Sequence, residues 1–266
     1  FKIRIKNKFM PQRVEKIIYD AVVSSNYILL EPDPEVTVEA IEGINSKFEV
    51  CCYIKDYEQK NIVEEAIWKR LWIHLYCAGI HPAQAENDAG MLNSFVSQNP
   101  MILLDCVDIF KTLEKEEKEN IVKNLKVEYY KKGLPIIKQG ESGQSLYIVA
   151  EGVVVINMRT DGYEEIMLER LGVGEVFGEM AFLTGELRGA DVEALTDVIV
   201  FHIAEDVINL SLNKNKQFYE HLEGLLIEHK ENSKLQMNKA EKINIETSES
   251  LSLKMKNKIR RIFKSN

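Results

Sequence analysis

Between Leu171 and Leu195 the sequence reads LGVGEVFGEMAFLTGELRGADVEAL, and its residue types suit the capture of a small anion. Gly178-Glu179-Met180-Ala181 opens a short turn of helix directly after a strand, so backbone N–H groups without a helical partner point outward and favour negative charge. Arg188 follows Glu179 by nine residues, near enough in a compact loop to converge on the same ligand. Its guanidinium can fork onto phosphate oxygens, each charge-assisted bond contributing about 1.5–3 kcal/mol. Glu179 beside an anion makes sense only if the ligand also brings a hydroxyl donor, and a ribose 2′-OH is one. The plainer alternative is a turn without a ligand, in which Arg188 is salt-bridged to Glu179. Catalysis has weaker support: no nucleophile stands in a recognisable elbow, and TGELRGA lacks the G-K-[ST] of a Walker loop. The chain is therefore expected not to be an enzyme, and to carry no catalytic residue, metal site or cofactor.

The elements that must position this loop lie on either side of it. Strand-like runs fall at Lys126–Tyr130, Pro135–Lys138, Leu146–Val149, Val153–Met158, Glu165–Leu171, Ala190–Leu195 and Val198–Ile203, with glycines marking the turns. Many short strands with glycine punctuation predict an antiparallel barrel or jelly roll. The helical stretch LLDCVDIFKTLEKEEKENIVKNL precedes them, with Leu113, Ile121 and Leu125 facing inward, and two helices follow, about Ala204–Leu212 and Lys214–Asn232. In the last helix Phe218, Leu222, Leu225 and His229 share a stripe that reads as core packing, and His229 as a surface or packing histidine.

FGEMAFLTGELRGA resembles the phosphate-binding cassette of the cyclic-nucleotide-binding superfamily, and QGESGQSLYIVAEGVVVI, from Gln139 to Ile156, resembles the β-roll hairpin before it. The resemblance covers roughly Cys106 to Asn232. It implies that Glu179 accepts a hydrogen bond from the ribose 2′-OH and that Arg188 binds the cyclic phosphate. Backbone N–H groups around Met180, Ala181, Gly189 and Ala190, beside Gly178, would complete the cradle, with the last helix folding over the base. The family often has Ser, Thr or Ala after the arginine, and a hydroxyl there tends to favour cGMP; Gly189 has none, so cAMP is the expected ligand over cGMP. Leu187 stands where the family often has proline, a tolerable departure where backbone makes the site.

The first 86 residues read as a separate domain. Phe1, Ile3 and Ile5 alternate as a strand, and PQRVEKIIYDAVVSS carries Val14, Ile17, Ile18, Ala21 and Val22 at helical spacing. Strands follow at Val36–Ile41 and Phe48–Ile54, separated by a Gly43–Ser46 turn. A helix from Tyr57 to Cys77 then places Ile62, Ala66, Trp68, Leu71, Trp72 and Leu75 on or near one face, and Ala78-Gly79-Ile80-His81-Pro82 stops it. Strand, helix, strand, strand, helix predicts a small ferredoxin-like α/β sandwich. The layout, with YILLEPDPEVTVEAIEGINSKFEVCCYI and AGIHPAQ, resembles the C-terminal cytoplasmic α/β domain of the small-conductance mechanosensitive channel superfamily; an unrelated ferredoxin-like module is the alternative. The whole is therefore read as α+β: residues 1–86, a linker over 87–102, a β-roll (jelly-roll) nucleotide domain with C-terminal helices over 103–232, and a polar then basic tail over 233–266. The tail is expected to be disordered, with an amphipathic membrane-surface or partner helix through KMKNKIRRIFKSN as the other reading.

A formal net charge of −8 over 266 residues argues against a nucleic-acid partner for the chain as a whole. Cys51, Cys52, Cys77 and Cys106 show no C-x-x-C pair and read as reduced thiols. No apolar run reaches the length of a membrane span, and the start at Phe1 without Met or signal peptide fits a piece of a longer parent. The channel resemblance implies a homo-oligomer, a heptamer by analogy, at the cytoplasmic face of the inner membrane, its pore in a preceding segment and its gating modulated by the nucleotide. The alternatives are a soluble regulatory protein, such as a kinase regulatory subunit, and a transcription-factor-like sensor. The latter would need a helix-turn-helix after the last helix, which the tail does not show.

Overall fold

The computed structural model describes residues 1–6, 8–80, 100–159, 165–212 and 215–239. The N-terminal elements are β1 (Lys2–Lys6), α1 (Pro11–Val23), β2 (Glu35–Glu42), β3 (Asn45–Cys51) and α2 (Lys60–Cys77). The strands form one antiparallel sheet in the order β1-β3-β2. Both helices bury their apolar stripes against it, around Ile5, Ile18, Phe48, Leu71 and Leu75. Among the described residues the sheet has three strands, one short of a β-α-β-β-α-β ferredoxin-like arrangement; what they show is the α+β layering.

The face expected for α2 is corrected. Val63, Ile67, Leu71, His74 and Leu75 are buried, whereas Ile62, Trp68 and Trp72 are exposed. The helix is apolar on two sides, so periodicity alone could not say which side meets the sheet. Its end follows the sequence closely. Gly79 takes a positive φ of 71°, its N–H donates to Tyr76 O, and the N–H of buried Ile80 donates to Leu75 O, the pairing of a Schellman cap.

Residues 81–99, which hold most of the expected linker, lie outside the described residues. The chain resumes with α3 (Pro100–Cys106), so Pro100, Met101 and Ile102 are helical rather than connector, followed by α4 (Lys115–Asn124). Two four-stranded antiparallel sheets then face each other. One has the order β5 (Pro135–Ile137), β10 (Asp191–Ala194), β7 (Val154–Arg159), β8 (Glu165–Leu171); the other β4 (Lys126–Tyr130), β11 (Val198–Ile203), β6 (Leu146–Glu151), β9 (Val176–Phe177). Val149, Val154, Leu171, Phe177, Val192 and Val200 fill the space between them. The expected strands are present, and β9 is added; at two residues it is too short for alternation to show.

Helices α5 (Glu179–Thr184), α6 (Glu205–Leu212) and α7 (Lys216–Lys239) complete the fold. Phe218, Leu222 and Leu226 anchor α7 against Phe110 and the α3–α4 region. The helix runs past Asn232 to Lys239, which corrects the expectation of a disordered tail from 233: SKLQMNK is rich in good helix formers although it lacks an apolar stripe. Residues 240–266, with the basic stretch, lie outside the described residues.

The end of β8 and the turn after it dock onto the N-terminal domain. Arg170 Nη2 donates to the carbonyls of Ser25 and Ile28, and its N–H donates to Asn26 Oδ1. Arg70 pairs with Glu175, and Val173 N–H donates to His74 Nε2 at 3.2 Å. Gly172 is required here, because a Cβ would come within 2.6 Å of His74 Nε2.

Candidate functional site

All seven residues expected at the site, Gly178, Glu179, Met180, Ala181, Arg188, Gly189 and Ala190, line one cavity of about 310 Å³. The fold brings them together through a single sharp turn. β9 ends at Phe177, and Gly178 takes a φ of +85° that redirects the chain into α5. A Cβ on Gly178 would stand 2.8 Å from both Arg188 Nη1 and the Ser145 carbonyl oxygen. The first helical bond of α5 runs from Phe182 N–H to Gly178 O, so the N–H groups of Glu179, Met180 and Ala181 precede it in the cavity wall.

Arg188 is held from both ends. Its backbone N–H donates to Glu141 O at 2.9 Å and its carbonyl accepts from Gly140 N–H at 2.8 Å. Its Nη1 donates to Gly178 O at 2.9 Å and Nη2 to Ser145 O at 3.1 Å. The guanidinium lies over the Tyr147 ring, 5.8 Å from its centroid, and that ring is stacked between Phe177 and His202. Burial pulls the Arg188 pKa below its ordinary value, against the opposing pull of Tyr147 and Glu179. Two of five donors are used on carbonyls, so N–H groups remain for a ligand.

The Arg188–Glu179 salt bridge of the ligand-free alternative is not what forms. Glu179 is 3% exposed, and its Oε1 pairs instead with His229 Nδ1 at 2.9 Å. His229 is thus neither a surface nor a plain packing residue. Burial works to lower its pKa, but the charge and hydrogen bond of Glu179, joined by Glu169 and Glu175, outweigh this and lift it to about 9. Glu169, on β8 in the same wall, is lifted to about 7 by burial against the His229 charge, and its Oε1 accepts from Asn232 Nδ2.

Sequence reasoning missed the rest of the cavity. Ile156, Leu168 and Val192 give it an apolar wall, and Glu169, His229 and Lys230 a charged one. His229 did stand on a recognised stripe; its partner fifty residues earlier carries no local signal.

Residues 127–215 match the family model described as the cyclic nucleotide-binding domain. The chain carries a cyclic nucleotide-binding domain. Over 154 residues it is 31% identical to human cGMP-dependent protein kinase 2, a match covering 57% of this chain and 20% of the kinase. It is 36% identical over 97 residues to the regulatory subunit of type II cAMP-dependent protein kinase from Drosophila melanogaster, covering 36% of this chain and 26% of that one. The solved catabolite activator protein of Thermus thermophilus superposes with a TM-score of 0.44 at 29% identity, covering 49% of this chain and 61% of that chain. The chain thus spans about a fifth to a quarter of the length of the curated kinase relatives it matches.

Chemically, the cavity suits the whole of such a ligand. Arg188 and the α5 amides can take the phosphate, Glu179 can accept from a ribose hydroxyl, and the apolar wall can cover a base. All four cysteines are free thiols, no group of metal-ligating side chains is present among the described residues, and no described helix is long and apolar enough to cross a membrane.

Proposed function

We propose that this chain is a regulatory sensor that binds a cyclic nucleotide, cAMP ahead of cGMP, and passes the binding event to its N-terminal α+β domain. The observation that carries this reading is the convergence of Arg188, Glu179 and the α5 amides on one cavity, with the guanidinium set by two carbonyls and not spent on a carboxylate. Relatives named for dependence on cAMP and on cGMP support the ligand class, and the missing hydroxyl at Gly189 favours cAMP. Transmission has a route in β8: Glu169 lines the cavity while the adjacent Arg170 is buried against the N-terminal domain. Successive strand residues point to opposite faces, so one strand touches both.

Isothermal titration of the folded chain with cAMP and cGMP tests this. Saturable heat with tighter cAMP binding is expected; no heat at millimolar ligand sinks the reading.

A second reading places the same sensor on a mechanosensitive-type ion channel as a homo-oligomer, a heptamer by analogy, at the cytoplasmic face of a membrane. It is favoured by the strand, helix, strand, strand, helix order of the N-terminal domain and its Gly79 helix stop. The relatives' names are those of kinases and other regulators and lend it no support. Recording from a longer parent with and without nucleotide discriminates: unchanged gating leaves the soluble regulator.

A further inference from the structure

Glu179 poses an electrostatic difficulty for the proposed site. It lines the same cavity as Arg188, and its charge opposes entry of a cyclic phosphate monoanion. Unpaired, it cancels Arg188 and leaves the cradle without net attraction. His229 supplies what is missing. From the fourth turn of α7 it reaches Glu179 Oε1 at 2.9 Å, with both side chains nearly enclosed at 12% and 4% exposure. The backbone carbonyl of His229 accepts from Ser233 Oγ at 2.8 Å, and Phe218, Leu222 and Leu226 bury the preceding turns of the helix.

Two roles are open to such a contact. His229 could block Glu179 until a ligand evicts it, or stay in place while the ligand binds. The cavity decides: it measures about 310 Å³ with His229 already in its wall, inside the range of roughly 300–1,000 Å³ for small-molecule pockets. A nucleotide therefore need not displace α7. Only Oε1 of Glu179 is used by the histidine, so Oε2 remains for a ribose hydroxyl.

We infer that His229 is a positioning and affinity-determining residue of the nucleotide site: as an imidazolium it holds Glu179 in register for the ribose hydroxyl and cancels its charge, so that the cyclic phosphate meets net positive charge. The inference rests on the proposed nucleotide binding. The groups around His229 agree with it. Glu179 and Arg188 face it from the cassette, Glu169 from β8, Glu175 from the following turn with Arg70 of α2 behind it, and Glu228 and Lys230 flank it on α7. Of the carboxylates, Glu179 is the one hydrogen-bonded to the histidine, while Glu169 and Glu175, the latter paired with Arg70, add negative charge through space; its pKa of about 9 keeps the imidazole charged at neutral pH.

The consequence is a two-step pH profile. An anionic ligand favours the protonated form of each neighbouring group, so affinity falls as pH rises through about 7, where Glu169 ionises, and again through about 9, where His229 loses its proton. Calorimetric titration with cAMP from pH 6 to 10 reads both steps. Glu169→Gln removes the lower step and leaves the upper. His229→Gln removes the upper step and weakens binding at pH 7.5 by roughly 10- to 100-fold, the loss of one charged hydrogen bond. His229→Lys restores affinity and keeps it at pH 9.5, a rescue that a merely structural role would not give, and circular dichroism verifies that each variant is folded. In nucleotide-free protein, NMR titration places His229 near 9 in the wild type and clearly lower in Glu179→Gln, where burial is no longer outweighed by the charge and hydrogen bond of that partner. Wild-type binding with no upper step, or tighter binding by His229→Gln, overturns this role alone. Absence of nucleotide binding in the wild type and in His229→Lys overturns the binding reading with it.

Discussion

Two buried arginines, Arg170 at the contact between the domains and Arg188 in the cavity, are treated alike by the backbone and differently by their surroundings. Both guanidiniums donate to a pair of main-chain carbonyls: Arg170 to Ser25 and Ile28, Arg188 to Gly178 and Ser145. Burial pulls both pKa values down, Arg170 to about 10. Arg170 is 1% exposed, enclosed where β8 meets the N-terminal domain, so no ligand reaches it. Arg188 faces open volume, and its remaining donors await a partner. What separates a structural arginine from a ligand-directed one here is the empty space beside it. Carbonyl anchoring serves both, because it fixes the cation without neutralising it.

The sharpest way to break that contrast is to remove each side chain in turn. Arg170→Ala leaves two carbonyls without donors inside a packed contact and a hole where the side chain was, for an expected loss of about 2–4 kcal/mol of stability. Denaturant unfolding monitored by circular dichroism measures it. A native-like midpoint would mean that the docking of β8 onto the N-terminal domain is incidental. Arg188→Ala should do the reverse. Its carbonyl acceptors lie beside a cavity that water can enter, so stability stays within about 1 kcal/mol. Nucleotide affinity instead falls by roughly 10- to 100-fold through the lost charge-assisted bonds to phosphate. Equal affinity in the variant would place the phosphate elsewhere.

Two histidines extend the comparison. His229, ringed by carboxylates, is held charged, with its pKa near 9. His74 is fully enclosed, and burial together with the charges of Arg70 and Lys16 pushes it down to about 3, so it is neutral and accepts from Val173 N–H. The unfolded chain takes up that proton near 6.5, so the stability tied to neutral His74 is complete above this pH and drains as pH falls, by about 1.4 kcal/mol per unit. Asp20, lifted to about 6 chiefly by burial, works in the opposite direction over part of the range. The clean measurement is therefore the difference between wild type and His74→Gln, which should shift by about 2 kcal/mol between pH 6.5 and 5. A constant difference would show that His74 titrates normally and that the contact is open to water.

Much of the cassette was legible because its signals are local. A glycine opening a helical turn directly after a strand, short strands between glycines, and an arginine nine residues after a glutamate all lie within one stretch of chain, and the fold gathers all seven expected residues around one cavity. Long-range pairings were not legible. Nothing in the sequence around His229 announces Glu179, nothing around Arg170 announces the carbonyls of Ser25 and Ile28, and the doubly apolar α2 gave no sign of which side would be buried. In each case the deciding partner lies on an element distant in sequence. The helical continuation to Lys239 was missed for a different reason: propensity alone sustains it, without an apolar stripe to mark it.

The smallest effect tests ligand choice at the one cassette position without a side chain. A Cβ added at Gly189 meets no atom within 4 Å, so Gly189→Thr should be accepted without moving Arg188 or the α5 turn. Its hydroxyl would stand in the cavity wall as a new donor and acceptor. If the absence of a hydroxyl is what disfavours cGMP, the variant gains one neutral hydrogen bond to that ligand, about 0.5–1.5 kcal/mol, and the cGMP-to-cAMP affinity ratio rises by about 2- to 10-fold. Competition titration of both nucleotides against one fluorescent analogue reads the ratio directly. An unchanged ratio at unchanged cAMP affinity would locate discrimination away from the cassette, in the wall that α7 and β8 build. Glu169, Lys230 and Asn232 would then be the next side chains to exchange, since Glu169 and Lys230 line that cavity and Asn232 holds Glu169.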